Sequence, residues 1–74
     1  MKEKLGFGHL GNGVTVWDSN RERNNDYLAV AHISEQGTVT YYNCALSIEA
    51  KKEIELFAIG MKDLNYKNTL KLQL

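Results

Sequence analysis

The short length of the chain is the strongest constraint on what it can fold into. Its 74 residues provide material for one hydrophobic core, so a single domain spanning residues 1–74 is expected. A core of this size is marginally stable unless a disulfide, a metal or another subunit supports it. Cys44 is the only cysteine, which excludes an intrachain disulfide and favours a reducing, cytoplasmic location.

The charges of the chain favour some classes of partner over others. Nine basic and nine acidic residues cancel, whereas nucleic-acid-binding domains usually carry a positive excess on one face. No apolar stretch approaches the roughly 20 residues that span a bilayer, and the charged opening from Met1 to Leu5 lacks the apolar segment of a signal peptide. We therefore expect no membrane insertion, and nucleic acid is a less favoured partner than protein.

A first hairpin is predicted from Asn12-Gly13 between apolar residues, a sequence typical of two-residue turns. With these residues at the centre of the turn, Gly8 faces Trp17, whose ring can cover the backbone that the glycine leaves open. The same count places one group of side chains together on the apolar face: Leu5, Phe7, His9, Val14 and Val16.

A second hairpin is predicted after the polar segment 18–26, which has the composition of an exposed loop. Its strands are Tyr27–Ile33 and Thr38–Tyr42, with Gly37 in the left-handed position between them. On the first strand, alternation places Ala29, Ala31 and Ile33 towards a helix. The opposite face then carries the candidate self-association residues, which a second subunit would cover: Leu28, Val30 and Tyr42.

A helix from about 48 to 61 is predicted by the N-cap residue Ser47 and by apolar residues at helical spacing. Alternating Leu70, Leu72 and Leu74 predict a final strand. The predicted fold is therefore α+β, a small antiparallel sheet in the order ββββαβ with one helix packed on one face.

The sequence contains no strong nucleotide-binding, metal-binding or catalytic motif. Gly6–Gly11 matches G-x-G-x-x-G, but a dinucleotide site needs a helix after the motif, and the following residues predict a strand; whether the region from Gly6 to Gly13 binds a ligand is left open. His9, His32 and Cys44 lack the spacing of metal ligands, and a thiol–histidine nucleophile would require them to meet in space. Asp18 and Asp26 are interpreted as solvated loop ends. No catalytic residue, metal or cofactor is predicted.

Two resemblances suggest a setting. The segments Lys4–His9 and Tyr27–Ser34 resemble the G-F-G-F and V-F-V-H-F-S strands of cold-shock domains, which implies stacking of single-stranded nucleic acid on Phe7 and His32, with His9 where an aromatic is expected. Other segments resemble small uncharacterised proteins of bacterial phages and conjugative elements, which implies a setting in which small proteins often bind host machinery, including defence systems: Gly11–Asp18, Asp26–Tyr27, Val30–Ser34, Tyr41–Tyr42 and Leu46–Ser47.

The sequence thus favours a small non-enzymatic protein-binding module that forms a homodimer and binds a host protein, for example to inhibit a defence system. Trp17, Arg21 and Arg23 are the candidate partner-binding residues, because tryptophan and arginine are frequent anchors of interfaces. The alternative is single-stranded nucleic-acid binding through Phe7, Trp17 and the Arg21/Arg23 loop.

Overall fold

The computed structural model describes residues 2–42 and 45–72, with the backbone alone described at residue 10 and residues 65–72. These residues form four strands and a helix: β1 (Leu5–Leu10), β2 (Gly13–Arg23), β3 (Asp26–Ile33), β4 (Val39–Tyr41) and α1 (Ile48–Leu72). The strands make one antiparallel sheet in the order β1-β2-β3-β4. The α+β prediction, with a small antiparallel sheet and a helix, is confirmed.

The first hairpin turns one residue earlier than predicted. Gly11 and Asn12 occupy the turn, and Gly11 has a φ of 61°, as the first central residue of a type II′ turn does. Gly13 is instead the first residue of β2, where a Cβ would lie 2.6 Å from the carbonyl oxygen of Ile33 and 2.7 Å from Nε2 of His32. Close packing, rather than the turn, requires a glycine at this position.

The earlier turn changes the pairing of β1 and β2 but preserves their faces. Phe7 pairs with Val16 and Gly6 with Trp17, so the predicted pairing of Gly8 with Trp17 is wrong. Because the register moves by two residues, every side chain keeps its side of the sheet. In the second hairpin, the predicted pairing of Ile33 with Val39 is confirmed.

The polar segment 18–26 is a continuation of the sheet and not a loop. β2 extends to Arg23, and Asn24 and Asn25 form the connection to β3 with φ of 54° and 65°. Positive φ at both central residues is the type I′ geometry, which asparagine tolerates better than most residues. Residues 19–21 are accommodated by an irregularity between the Asp18–Leu28 and Glu22–Tyr27 pairs.

A bulge in β3 changes the predicted faces of that strand. The pairing shifts between Val16–Ala31 and Trp17–Ala29, so Val30 is the additional residue of β3. Val30 is 0% exposed and belongs to the same core cluster as Ala31, while Ala29 moves to the other side of the sheet with Trp17. The assignment of Val30 to a face for a second subunit is therefore wrong.

The same correction applies to Leu28, while Tyr42 remains at the surface. Leu28 is half-buried against the core cluster on the helix side, opposite buried Asp18 in β2. Tyr42 is exposed, and its backbone N–H donates to the carbonyl oxygen of Val30 at 3.0 Å. Of the three predicted self-association residues, Tyr42 keeps an exposed side chain away from the core.

Helix α1 packs on one face of the sheet through Ile54 and Ala58, which join the sheet residues in the core. Phe57 stacks on Phe7, with ring centroids 4.5 Å apart and planes at 14°. The predicted N-cap is confirmed, since the N–H of Ala50 donates to Oγ of Ser47 at 3.2 Å. Within the described residues, no helix has the length and apolar character of a membrane span.

The predicted final strand is wrong over residues 70–72, which belong to α1; Leu74 lies outside the described residues. Leucine and lysine are both good helix formers, and extending an existing helix is easier than starting a new element. Leu70 and Leu72 therefore continue the helix, and the order is ββββα over the described chain.

Replacing Val30 with threonine tests its place in the core. We expect Val30→Thr to lower the free energy of unfolding by about 1–3 kcal/mol, because the new hydroxyl is buried among apolar side chains. The matched change Val39→Thr, at a half-buried position of β4, should change it by roughly 0.5 kcal/mol or less. Urea unfolding followed by circular dichroism makes the comparison, and equal effects of the two changes would contradict the bulge.

Candidate functional site

The face of the sheet opposite α1 is covered by no element of the described chain. We call it the outer face. The pairing of the strands and the lining of the surface groove define it by these residues: Gly6, Gly8, Thr15, Trp17, Ala29, His32, Thr40 and Tyr42. Its side chains are mostly small, so the larger aromatic rings stand above the surrounding surface.

The indole ring of Trp17 covers the position above Gly8. A Cβ at Gly8 would be 2.5 Å from Cζ3 and 2.9 Å from Cη2 of the indole ring. The predicted covering of Gly8 by Trp17 is thus confirmed, although the paired residue across the strands is Gly6. Trp17 also lines the groove described next.

A shallow groove of about 570 Å³ lies beside Trp17 on the outer face. The small side chain of Ala29 lies between the pairing partner Trp17 and the exposed ring of Tyr42, and Tyr27 also lines the groove. Tyr27 is 53% and Tyr42 42% exposed. We call this the aromatic groove, lined by Trp17, Arg23, Asn24, Asp26, Tyr27, Leu28, Ala29 and Tyr42.

The charges at the end of the aromatic groove nearly cancel. Arg23 pairs with Asp26 across the two-residue turn, and Glu22 pairs with Tyr27. Arg23 and Asp26 both line the groove, so one guanidinium is accompanied there by one carboxylate, and exposed Glu22 precedes Arg23 in β2. Binding of a nucleic-acid backbone depends on an excess of cationic side chains along the path of the phosphates, and this rim does not provide one.

Arg21 does not contribute to the groove because its guanidinium is engaged by the chain itself. Its Nε lies 3.0 Å from Oδ2 of buried Asp18, and its Nη2 donates to the carbonyl oxygen of Ala45 at 2.7 Å. Nη2 also lies 3.7 Å from Oε2 of Glu3. Of the three predicted partner-binding residues, Trp17 and Arg23 line one groove, whereas Arg21 serves the interior network.

Glu3 is the member of this network that sequence reasoning missed. Its buried carboxylate accepts hydrogen bonds from the backbone N–H of Ser47 at 2.8 Å and from its hydroxyl at 2.6 Å. These two bonds, assisted by the charge of Arg21, hold the pKa of Glu3 below its ordinary value of 4.5. The network joins the start of the chain to the start of α1.

Asp18 holds the same region from the side of β2. Its Oδ1 accepts hydrogen bonds from the backbone N–H groups of Lys4 at 3.0 Å and Asn20 at 2.9 Å. Asp26, the other predicted loop carboxylate, is exposed and accepts from the N–H of Tyr27. The two aspartates therefore have separate structural roles, and every buried side-chain polar atom in the described residues has a partner.

The remaining candidate residues do not converge. Phe7 stacks on Phe57 beneath the sheet, whereas His32 lies on the outer face beside Gly13. His9 is exposed at the edge strand opposite Val14. Among the described residues no group of three or more His, Cys, Asp or Glu side chains is placed to hold a metal. Cys44 lies outside the described residues.

The glycine motif Gly6–Gly11 forms β1 and the first turn residue, with β2 rather than a helix after it. Comparisons of the chain with protein-family models, curated proteins and solved structures find no match. Both resemblances noted in the sequence therefore stay predictions. The candidate site rests on its own geometry, the exposed aromatic groove of the outer face.

Adding a methyl group at Gly8 tests the contact with Trp17. We expect Gly8→Ala to lower the free energy of unfolding by about 1–3 kcal/mol, because the Cβ overlaps the indole ring. It should also change the emission of Trp17, the only tryptophan of the chain. Gly6→Ala is the matched control, since a Cβ there meets no described atom within 4 Å. Indistinguishable spectra and stabilities for both variants would rule out the contact.

The charge of Glu3 should make stability depend on pH. Because folding lowers the pKa of this carboxyl, its stabilising contribution is complete above the ordinary value of 4.5 and disappears as pH falls through the folded pKa. Glu3→Gln should therefore be less stable than the wild type near neutral pH, and the difference should shrink in acid. Urea unfolding at a series of pH values measures this, with exposed Glu53→Gln as control. A difference that stays constant with pH would exclude the proposed role of the charge.

Proposed function

We propose that this chain is a small non-enzymatic protein-binding module that contacts its partner through the aromatic groove. The observation that carries the proposal is the exposure of Tyr27 and Tyr42 beside Trp17, around the small side chain of Ala29. Tryptophan, tyrosine and arginine dominate the energetics of protein interfaces. Arg23 at the end of the groove completes this combination.

The shape of the groove supports a protein partner with a protruding apolar side chain. Ala29 provides space between larger rings, and Arg23 with Asp26 offers both signs of charge to polar groups at the edge. Protein interfaces combine an apolar centre with a polar rim in this way. The resemblance to proteins of phages and conjugative elements extends the proposal to a host protein as the partner.

Charge and position favour protein over single-stranded nucleic acid. The alternative site required Phe7, Trp17, Arg21 and Arg23 on one surface. Phe7 lies between sheet and helix, and Arg21 is bound to Asp18 and Ala45. The groove retains one arginine and one carboxylate, Asp26, which is a poor match to a phosphate backbone.

A pull-down with variants of the groove tests the proposal. Immobilised wild type is compared with Tyr42→Ala and Tyr27→Ala in a bacterial lysate, with Asn12→Ala in the exposed turn between β1 and β2 as the control outside both proposed surfaces. We expect a protein retained by the wild type and the control to be lost by the tyrosine variants. With that protein purified, each variant should bind about tenfold more weakly, since truncating an interface anchor costs about 1–2 kcal/mol.

Emission of Trp17 then reports whether the groove itself is occupied. The purified partner should shift this emission at saturating concentration, and a single-stranded oligonucleotide at low salt should leave it unchanged. Salt-dependent quenching by the oligonucleotide would instead support nucleic-acid binding. Equal retention of the partner by the wild type and both tyrosine variants would remove the groove from the proposal.

A further inference from the structure

Helix α1 carries a second apolar surface on the side away from the sheet. Leu56 is 69% and Ile59 54% exposed, although Ile54 and Ala58 on the inner side already bury the helix against the core. Lys52 and Asp63 extend the exposed row at spacings of four, three and four residues, which place side chains on one face of a helix. We call Lys52, Leu56, Ile59 and Asp63 the outer helix stripe.

The outer helix stripe is self-complementary in charge. Lys52 precedes the apolar pair and Asp63 follows it, at equal distances from the point midway between Leu56 and Ile59. If a second copy runs antiparallel about that point, Leu56 packs against Ile59 of the second copy. Lys52 then meets Asp63 of the second copy, and the symmetry of the pair repeats each contact.

The charged residues beside the outer helix stripe are also complementary in an antiparallel pair. Glu55 and Lys62 both lie on the same side of the outer helix stripe. In an antiparallel helix pair, this side of one helix lies next to the same side of the other helix. Glu55 of one copy therefore approaches Lys62 of the other. A parallel pair would place Lys52 against Lys52 and Asp63 against Asp63, which is unfavourable. The charges thus specify both the occupant and its direction.

Two further observations fit a helix as the occupant. Lys52, Glu55, Leu56 and Ile59 line a shallow and mainly apolar hollow of about 220 Å³. Gly60, beside the stripe, has space around it, because a Cβ there would meet no described atom within 4 Å. A glycine inside a helix costs about 1 kcal/mol relative to alanine, and it permits close approach of another backbone.

We propose that the outer helix stripe binds a second copy of this chain in an antiparallel helix pair. This surface replaces Leu28, Val30 and Tyr42 as the basis for self-association, and it is independent of the aromatic groove. The groove lies on the opposite side of the domain and stays accessible in the dimer.

Charge reversal in two separate chains tests the pairing. Sedimentation equilibrium over a series of concentrations should show wild-type mass rising from one chain to two. Lys52→Glu and Asp63→Lys should each raise the dimer dissociation constant by about tenfold, because each puts like charges opposite each other at both ends of the pair. Mixed in equal amounts, the two variants should associate again, since each then meets the opposite charge.

Several results would overturn the proposal. These are a wild type of one-chain mass at every concentration, single variants that associate as the wild type does, and a mixture of variants without rescue. Glu22→Lys, an exposed change in β2, should leave the mass unchanged. Tyr42→Ala should also leave it unchanged, so that failure of the dimer and failure of the groove are separate outcomes. Circular dichroism confirms that each variant keeps the wild-type fold.

Discussion

Hydrogen bonds from Ser47 to the buried carboxylate of Glu3 decide how the helix meets the sheet. They hold Ser47, the N-cap residue of α1, against the residues that lead into β1. Arg21 and Asp18 hold the other side of the same junction. In a chain without a disulfide, this junction connects residues that are 44 positions apart. Its net energetic gain is modest because buried ion pairs lose hydration, but its geometry is specific.

With the start of α1 held there, the helix lies along the inner face and the outer face stays open. Ile54 and Ala58 bury the inner side chains of β2 and β3. The outer face meets solvent through glycines and small residues, on which Trp17 rests. The bulge at Val30 has a part in this division, because it sends Val30 to the core and Ala29 to the aromatic groove. The exposed tyrosines are thus a consequence of how a short chain distributes its apolar residues.

The local signals of the sequence were sufficient for the elements and for some of the site. Ser47 identified the helix start, and the clustering of Trp17 with Arg23 pointed to the groove. Tyr42 was assigned to self-association but lines the same groove. The wrong predictions concern features that depend on long-range contacts. The bulge at Val30 arises from the pairing of β3 with β2. The guanidinium of Arg21 contacts Glu3 and Ala45, which are distant from it in sequence.

The failures at Gly13 and at the chain end have a related cause. Asn12-Gly13 matched a favoured turn, yet Gly13 is used where His32 and Ile33 approach its backbone. Alternating leucines matched a strand, but the pattern of a strand is informative only where a neighbouring strand is available to pair with it.

The relative positions of the two proposed surfaces determine how a dimer would bind its partner. The outer helix stripe and the aromatic groove lie on opposite sides of the domain, with the sheet and α1 between them. Helix pairing would therefore place two grooves at opposite ends of a symmetric dimer, both open to solvent. A partner that is itself dimeric or repetitive could engage both grooves, and the second contact would form at the high effective concentration created by the first. Weak binding at each shallow groove is then compatible with firm attachment of the dimer.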